Sequence, residues 1–215
     1  MDPMTLCIYV MIPMMLMMVL YVFLTKNRTV YRLWEETAQA LELTHEPPPN
    51  ASGKTIGPIT GTRKGFQIRL NHSKHRDNKN STPYTTLEVT HPSHMDLGLN
   101  ITPEGLLTGA SKILGVQDIQ TGDQRFDDAF VVQGKRIEEI LALLTPTVRA
   151  RLLDLKTPDG HIKLTDKGSY QEWDGFVVNT NKLKTAIEHH VLLMEALAQA
   201  QSTHIMSQQH AKALA

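Results

Sequence analysis

The sequence predicts an α+β domain carried behind one N-terminal transmembrane helix. Three observations predict it. Residues Met4 to Leu24 contain no charge, several short runs of strand-favouring residues separated by turn signals follow, and segments from Ile137, from Thr145-Pro146 and from about Asn181 carry apolar side chains at helical spacing. This divides the chain into a transmembrane anchor at 1–25, a juxtamembrane helix with a proline-rich connector at 26–50, a soluble α+β domain at 51–201 and a flexible tail at 202–215. The soluble part has the size of one domain.

The anchor comes first. As a helix, Met4–Leu24 is about 32 Å long at about 1.5 Å per residue, which matches a hydrocarbon core of about 30 Å. A cleaved signal peptide needs basic residues before its apolar run and small residues after it; here Asp2 precedes the run and Tyr21, Phe23 and Leu24 close it. A span tolerates the bend at Pro13. Lys26, Arg28 and Arg32 follow at once, so the positive-inside rule leaves the domain in the cytoplasm, on a single-pass protein of the cell inner membrane.

Beyond the anchor, Val30, Trp34, Ala38 and Leu41 form a helical stripe, ended by Glu46-Pro47-Pro48-Pro49-Asn50. Thr55–Thr60, Phe66–Asn71 and Tyr84–Thr90 read as an antiparallel meander, with turns at Gly61–Gly65 and a long polar loop from His72 to Pro83. A short strand at Leu97–Ile101 stops at Thr102-Pro103, where threonine as N-cap and proline at the first helical position predict a helix to about Leu114. Ile137, Ile140, Leu141 and Leu144 mark a further helix, and Thr145-Pro146 opens another that carries Val148, Leu152 and Leu155. Strands at His161–Thr165 and within Ser169–Val178 precede a long helix from about Asn181 that buries Leu183, Ile187, Val191, Met194 and Ala198. The last dozen residues are polar and expected to fray.

Composition excludes some chemistry. With Asp2 set aside, the chain beyond the anchor holds 22 basic against 21 acidic residues, too even a balance for strong phosphate binding, so no nucleic-acid partner is expected. Cys7 lies within the apolar segment, which leaves the domain without a disulfide or a thiolate metal cage. Gly53-Lys54-Thr55 is not a phosphate loop, because Pro48 stands where the first glycine belongs and a strand follows. The pairs His72/His75 and His91/His94 have metal-ligand spacing, but a hairpin between them places His72 and His91 about 20 Å apart at roughly 3.3 Å per residue. No metal site and no cofactor is expected. His190 borders the apolar stripe of the last helix and reads as a packed or capping residue rather than a ligand.

What remains is a short roll of candidates. Asp123, Asp127 and His161 could serve general acid–base chemistry, against a plainer reading in which Asp123, Asp127 and Asp128 make turn bonds at a strand entrance. Lys26, Arg28, Arg32, Lys74 and Arg76 could touch anionic lipid, the loop pair together with Lys79 and with Arg63 and Lys64 of the neighbouring turn.

The run Gly122-Asp123-Gln124-Arg125-Phe126-Asp127-Asp128-Ala129-Phe130-Val131-Val132, then Leu144-Thr145-Pro146 and Arg151-Leu152-Leu153-Asp154-Leu155, resembles a bacterial family, the domain of unknown function three-one-three-seven. The resemblance covers roughly residues 120–178. It implies a membrane-anchored protein in which an F-x-x-x-F-x-V strand leads into an L-T-P helical corner, and it carries no assigned chemistry. The expected function is a membrane-anchored scaffold that meets lipid through its N-terminal helix and holds a protein partner. Two alternatives stand beside it: a membrane-tethered hydrolase, and a module that contacts anionic lipid.

Overall fold

The computed structural model describes residues 3–47, 56–76, 81–92, 95–105, 118–177 and 179–214. In chain order the elements are α1 (Pro3–Ala40), β1 (Thr44–His45), β2 (Ile59–Arg63), β3 (Phe66–Arg76), β4 (Ser81–Thr90), β5 (Asn100–Pro103), α2 (Gln124–Asp127), β6 (Phe130–Gln133), α3 (Ile137–Leu143), α4 (Pro146–Leu155), β7 (Gly160–Thr165), β8 (Gly168–Asp174) and α5 (Thr180–Leu214). The fold is α+β: among the described residues, eight strands form one sheet in the order β1-β2-β3-β4-β8-β7-β5-β6, every neighbouring pair antiparallel.

Alternation along the strands decides which face is covered. Ile68 and Leu70 on β3, Leu87 and Val89 on β4, and Ile162 and Leu164 on β7 are buried, while Arg69, Glu88, His161 and Lys163 between them are exposed. The buried face lies under α5, which packs on β3, β4 and β8 and is flanked by α1, α3 and α4. Leu183, Ile187, Val191 and Met194 of α5 are buried as their spacing predicts, and Leu197 takes the place expected for the half-buried Ala198. Trp34, Ala38 and Leu41 seat the C-terminal part of α1 in the same core, and the Trp34 indole donates to the Val177 carbonyl at 3.3 Å.

Several elements depart from the sequence reading, each for a local reason. The first hairpin turn is only Lys64-Gly65, both at positive φ (50° and 86°), the two-residue geometry that suits strand twist. The expected loop from His72 to Pro83 is strand over most of its length, because β3 and β4 pair as far as Arg76 and Ser81. The strand expected from Leu97 begins at Asn100, since the Asp166 carboxylate accepts the N–H groups of Leu97, Gly98 and Leu99 at 3.1, 2.8 and 3.1 Å. Thr102 and Pro103 do not open a helix; they end β5, paired with Val131 and Phe130. The remainder of that expected helix, and most of the proline-rich connector, lie outside the described residues. In the Phe126/Phe130 motif, the first phenylalanine sits in the short helix α2 and only the second on a strand, the rings stacked at 5.2 Å.

On α3 the stripe is rotated. Ile140, Leu143 and Leu144 are buried, whereas Ile137 and Leu141 remain 45% and 39% exposed. The Thr145-Pro146 start of α4 holds, with the Thr145 hydroxyl accepting the Val148 N–H and Val148, Leu152 and Leu155 buried. At the far end the expected tail is instead helical: α5 continues to Leu214 because no glycine or proline interrupts it, and beyond Ala200 its side chains turn to solvent.

The expected span falls within α1, which continues without a break into the domain. Among the described residues no helix is long and apolar enough to cross a membrane. The side chains described within Met4–Leu24 are those of residues 11–18 and Tyr21, and all of them are exposed.

Candidate functional site

The acidic residues singled out in the sequence have structural partners. Asp127 bonds back to the turn before it, its carboxylate accepting the Thr121 N–H at 3.0 Å, the Thr121 hydroxyl at 2.7 Å and the Gly122 N–H at 3.0 Å. Asp123 caps α2 through the Phe126 N–H and takes an ion pair from Arg149 of α4 at 3.1 Å. The Arg149 hydrogen bond holds the Asp123 carboxyl below the usual carboxylate range. Arg149 also donates to the Leu144 carbonyl at 2.6 Å, so one guanidinium ties α2, the end of α3 and α4 together. This is the turn-bond reading of the aspartates, with Arg149 as the partner that spacing alone does not reveal.

His161 lies elsewhere. It is exposed on β7, opposite Glu172, with β5 between β7 and the strand that the aspartates precede. The structure therefore divides the three residues between a turn and a sheet face. A concavity of about 390 Å³ between α3–α4 and the distal part of α5 is lined by Ala142, Thr145, Ala196, Ala200, Thr203 and His204 among others, and by none of the three. Among the described residues no group of three or more His, Cys, Asp or Glu side chains is placed to hold a metal ion.

The more extensive surface is the sheet face that, among the described residues, no helix covers at β2, β3, β4, β8 and β7. Thr60, Arg69, Glu88, Tyr170 and Lys163 stand in register across these five strands, and Asn71, Thr86, Glu172 and His161 form the next row. Three shallow depressions of about 290, 190 and 290 Å³ run along the rows. The Tyr170 hydroxyl donates to Glu172 at 2.6 Å, and burial, then that acceptor, pushes the phenol well above its ordinary range, so Tyr170 presents a fixed neutral dipole. The surface is polar, with both signs of charge interleaved.

Behind this face lies a buried polar chain. On the inward side of β8, Ser169 and Gln171 meet His190 of α5, which is fully buried: Nδ1 lies 2.8 Å from the Ser169 hydroxyl and Nε2 3.0 Å from Gln171 Oε1. The Gln171 amide nitrogen donates to the Leu155 carbonyl at 3.1 Å, which leaves Oε1 as acceptor. His190 is then neutral, with its proton on Nε2 and Nδ1 accepting from Ser169. Burial, aided by His189, lowers its pKa to about 3. The signal in the sequence is the pair of polar residues at inward positions of β8, which require a polar partner on the covering helix.

The basic candidates are dispersed by the sheet. Arg63 and Lys64, at the β2–β3 turn, pair with Glu188 and Glu195 of α5 at 4.0 and 2.8 Å. Lys74 and Arg76 stand at the opposite end of β3, so the two turns do not form one cluster. Arg32 pairs with Glu36 on the surface of α1 at 3.5 Å. Lys26 and Arg28 lie on α1 toward the N-terminus, with side chains outside the described set. The His72/His91 separation expected from the hairpin is kept, with His72 stacked on Phe176 and His91 beside Phe66.

No protein-family model matches this chain, and no curated protein matches it. Among solved structures, the mycobacterial trehalose monomycolate transport factor A, TtfA, is similar at a TM-score of 0.52 and 8% identity, over 79% of this chain and 95% of that one. At that identity the two chains share a fold, and the α+β architecture is what the comparison establishes.

Proposed function

We propose that this chain is a single-pass protein of the cell inner membrane whose α+β domain faces the cytoplasm and holds a protein partner there. The observation that carries the reading is α1. Within one helix, Met11, Ile12, Met14, Met15, Leu16, Met17 and Met18 are exposed, whereas Trp34, Ala38 and Leu41 are locked into the domain core. An exposed apolar stretch of this size on a soluble surface is unfavourable, and lipid is the medium that relieves it. The helix enters the core without a linker, so the anchor would set the orientation of the whole domain. Lys26, Arg28 and Arg32 favour the cytoplasmic side. The uncovered sheet face supplies a broad polar surface with fixed donors and acceptors, the kind of surface a protein partner reads through hydrogen bonds.

Kinship with the membrane-anchored domain of unknown function three-one-three-seven belongs to the same proposal. The test is threefold. Full-length protein should resist alkaline carbonate extraction from membranes while a chain lacking residues 1–25 is released. Protease should reach the domain only from the cytoplasmic side. A photo-crosslinker at Thr86 on the open face should capture a partner in cells that one at Gln199 on α5 does not. Carbonate release of the full-length chain would remove the anchor, and identical capture profiles from the two positions would remove the open face as the binding surface.

A further inference from the structure

We infer that the protruding end of the β3–β4 hairpin is a second membrane contact, apposed to anionic lipid headgroups beside the point where α1 enters the bilayer. The inference rests on the membrane-anchored reading and adds a surface to it. Two structural facts lead there.

The first is that this end of the hairpin stands clear of the sheet. Pairing of β2 with β3 stops at Ile59 and Leu70, and pairing of β8 with β4 stops at Asp174 and Tyr84. Beyond those points the Gly175 N–H still donates to the Pro83 carbonyl at 2.8 Å, and past it, among the described residues, β3 and β4 pair with each other alone, as far as Arg76 and Ser81.

The second is direction. Leu43, just past α1, sits against Gly61, which pairs with Ile68. Trp34 bonds the Val177 carbonyl; the Val177 N–H bonds the Thr85 hydroxyl, and Thr85 pairs with His72. From Trp34 to Leu43, therefore, the chain passes from the level of His72 to the level of Ile68, opposite to β3. Read toward its N-terminus, α1 runs the same way as the free end of the hairpin. From Trp34 back to Lys26 the helix rises about 12 Å at about 1.5 Å per residue. From His72 to Arg76 the strand advances about 13 Å at about 3.3 Å per residue. With the helix parallel to the strand, Arg76 comes to about the level of Lys26, where the charged sequence meets the apolar one.

Charge agrees with geometry. Ser73 to Arg76 and Ser81 to Pro83 include Lys74 and Arg76 and no acid, and Lys26 and Arg28 follow directly on the apolar run of α1. Asp77 is the one acid between the two strands. The cytoplasmic leaflet is negatively charged and attracts basic residues held within a Debye length of it. Two contacts, a helix through the bilayer and a ribbon on its surface, would fix both the tilt and the rotation of the domain, so that the open sheet face is presented in one orientation.

The test uses the full-length chain with Cys7→Ser, reconstituted in nanodiscs of anionic or zwitterionic lipid and labelled with bimane at one introduced cysteine. Met18→Cys with nitroxide in the acyl chains reports anchor insertion. Thr82→Cys, exposed on β4 opposite His75, and Thr62→Cys, exposed on β2 near the other end of the sheet, are read against a headgroup nitroxide. Quenching is expected at Thr82→Cys and not at Thr62→Cys, stronger in anionic than in zwitterionic lipid, and reduced in Lys74→Gln and Arg76→Gln, each of which removes one charge and lowers the contact equilibrium about fivefold. Quenching at Met18→Cys with none at Thr82→Cys overturns the hairpin contact and leaves the anchor standing. Absence of quenching at Met18→Cys removes the anchor and the hairpin contact with it.

Discussion

Lowering the pH through the ordinary histidine range should destabilise this domain through His190. The imidazole is fully buried between Ser169 and Gln171, with a folded pKa of about 3 against an unfolded value of 6.5. A depressed histidine pKa means that the unfolded chain binds the proton first, so stability falls as pH drops below the unfolded value and continues to fall until the folded pKa is reached. Between pH 7.5 and pH 5.0 the linkage amounts to about 2 kcal/mol from this residue alone. Urea unfolding of the protein at both pH values measures it. The His190→Gln variant, which cannot titrate, should lose that part of the pH dependence whatever its absolute stability. Other histidines contribute equally to both proteins and cancel in the comparison. If wild type and His190→Gln lose the same stability between pH 7.5 and 5.0, the buried neutral imidazole is not what the geometry describes.

Three further outcomes follow from packing and backbone geometry. Leu152→Ala removes a fully buried side chain of α4 and should cost about 2–5 kcal/mol in chemical denaturation, whereas Leu141→Ala, on the exposed side of α3, should cost much less. Gly168→Ala should destabilise by about 1–3 kcal/mol, because φ is +147° there and a Cβ would stand 2.2 Å from the Val89 carbonyl oxygen, a clash between two backbones that no rotamer relieves. Thr145→Ala should cost about 1 kcal/mol through the lost cap on the Val148 N–H, and Thr145→Ser should restore most of it. The midpoint of urea unfolding checks each of these.

Local pattern alone carried the α+β class, the start of α4 and the burial of α5. Period-2 alternation and helical stripes report which residues face a core, and Thr145-Pro146 combines a cap with a residue suited to the first helical turn. The helical stripe of Trp34, Ala38 and Leu41 likewise pointed to burial, and the uncharged run before it is a property of sequence that tertiary contacts do not alter. Partners distant in the chain decided the rest. Asp166 takes the three N–H groups that would have begun β5 at Leu97, and pairing with β6 draws Thr102-Pro103 into a strand where a local signal favours a helix. Pairing likewise turns the polar stretch after His72 into the protruding hairpin, since an antiparallel ladder extends as far as both backbones can bond, whatever their hydropathy. The candidate acids and their plainer role in turn bonds, to Thr121 and Gly122, were legible from sequence, but the Arg149 ion pair that occupies Asp123 depends on α4 packing against α2. The open face and the direction of α1 relative to β3 arise only from strand order and register, which no single segment encodes.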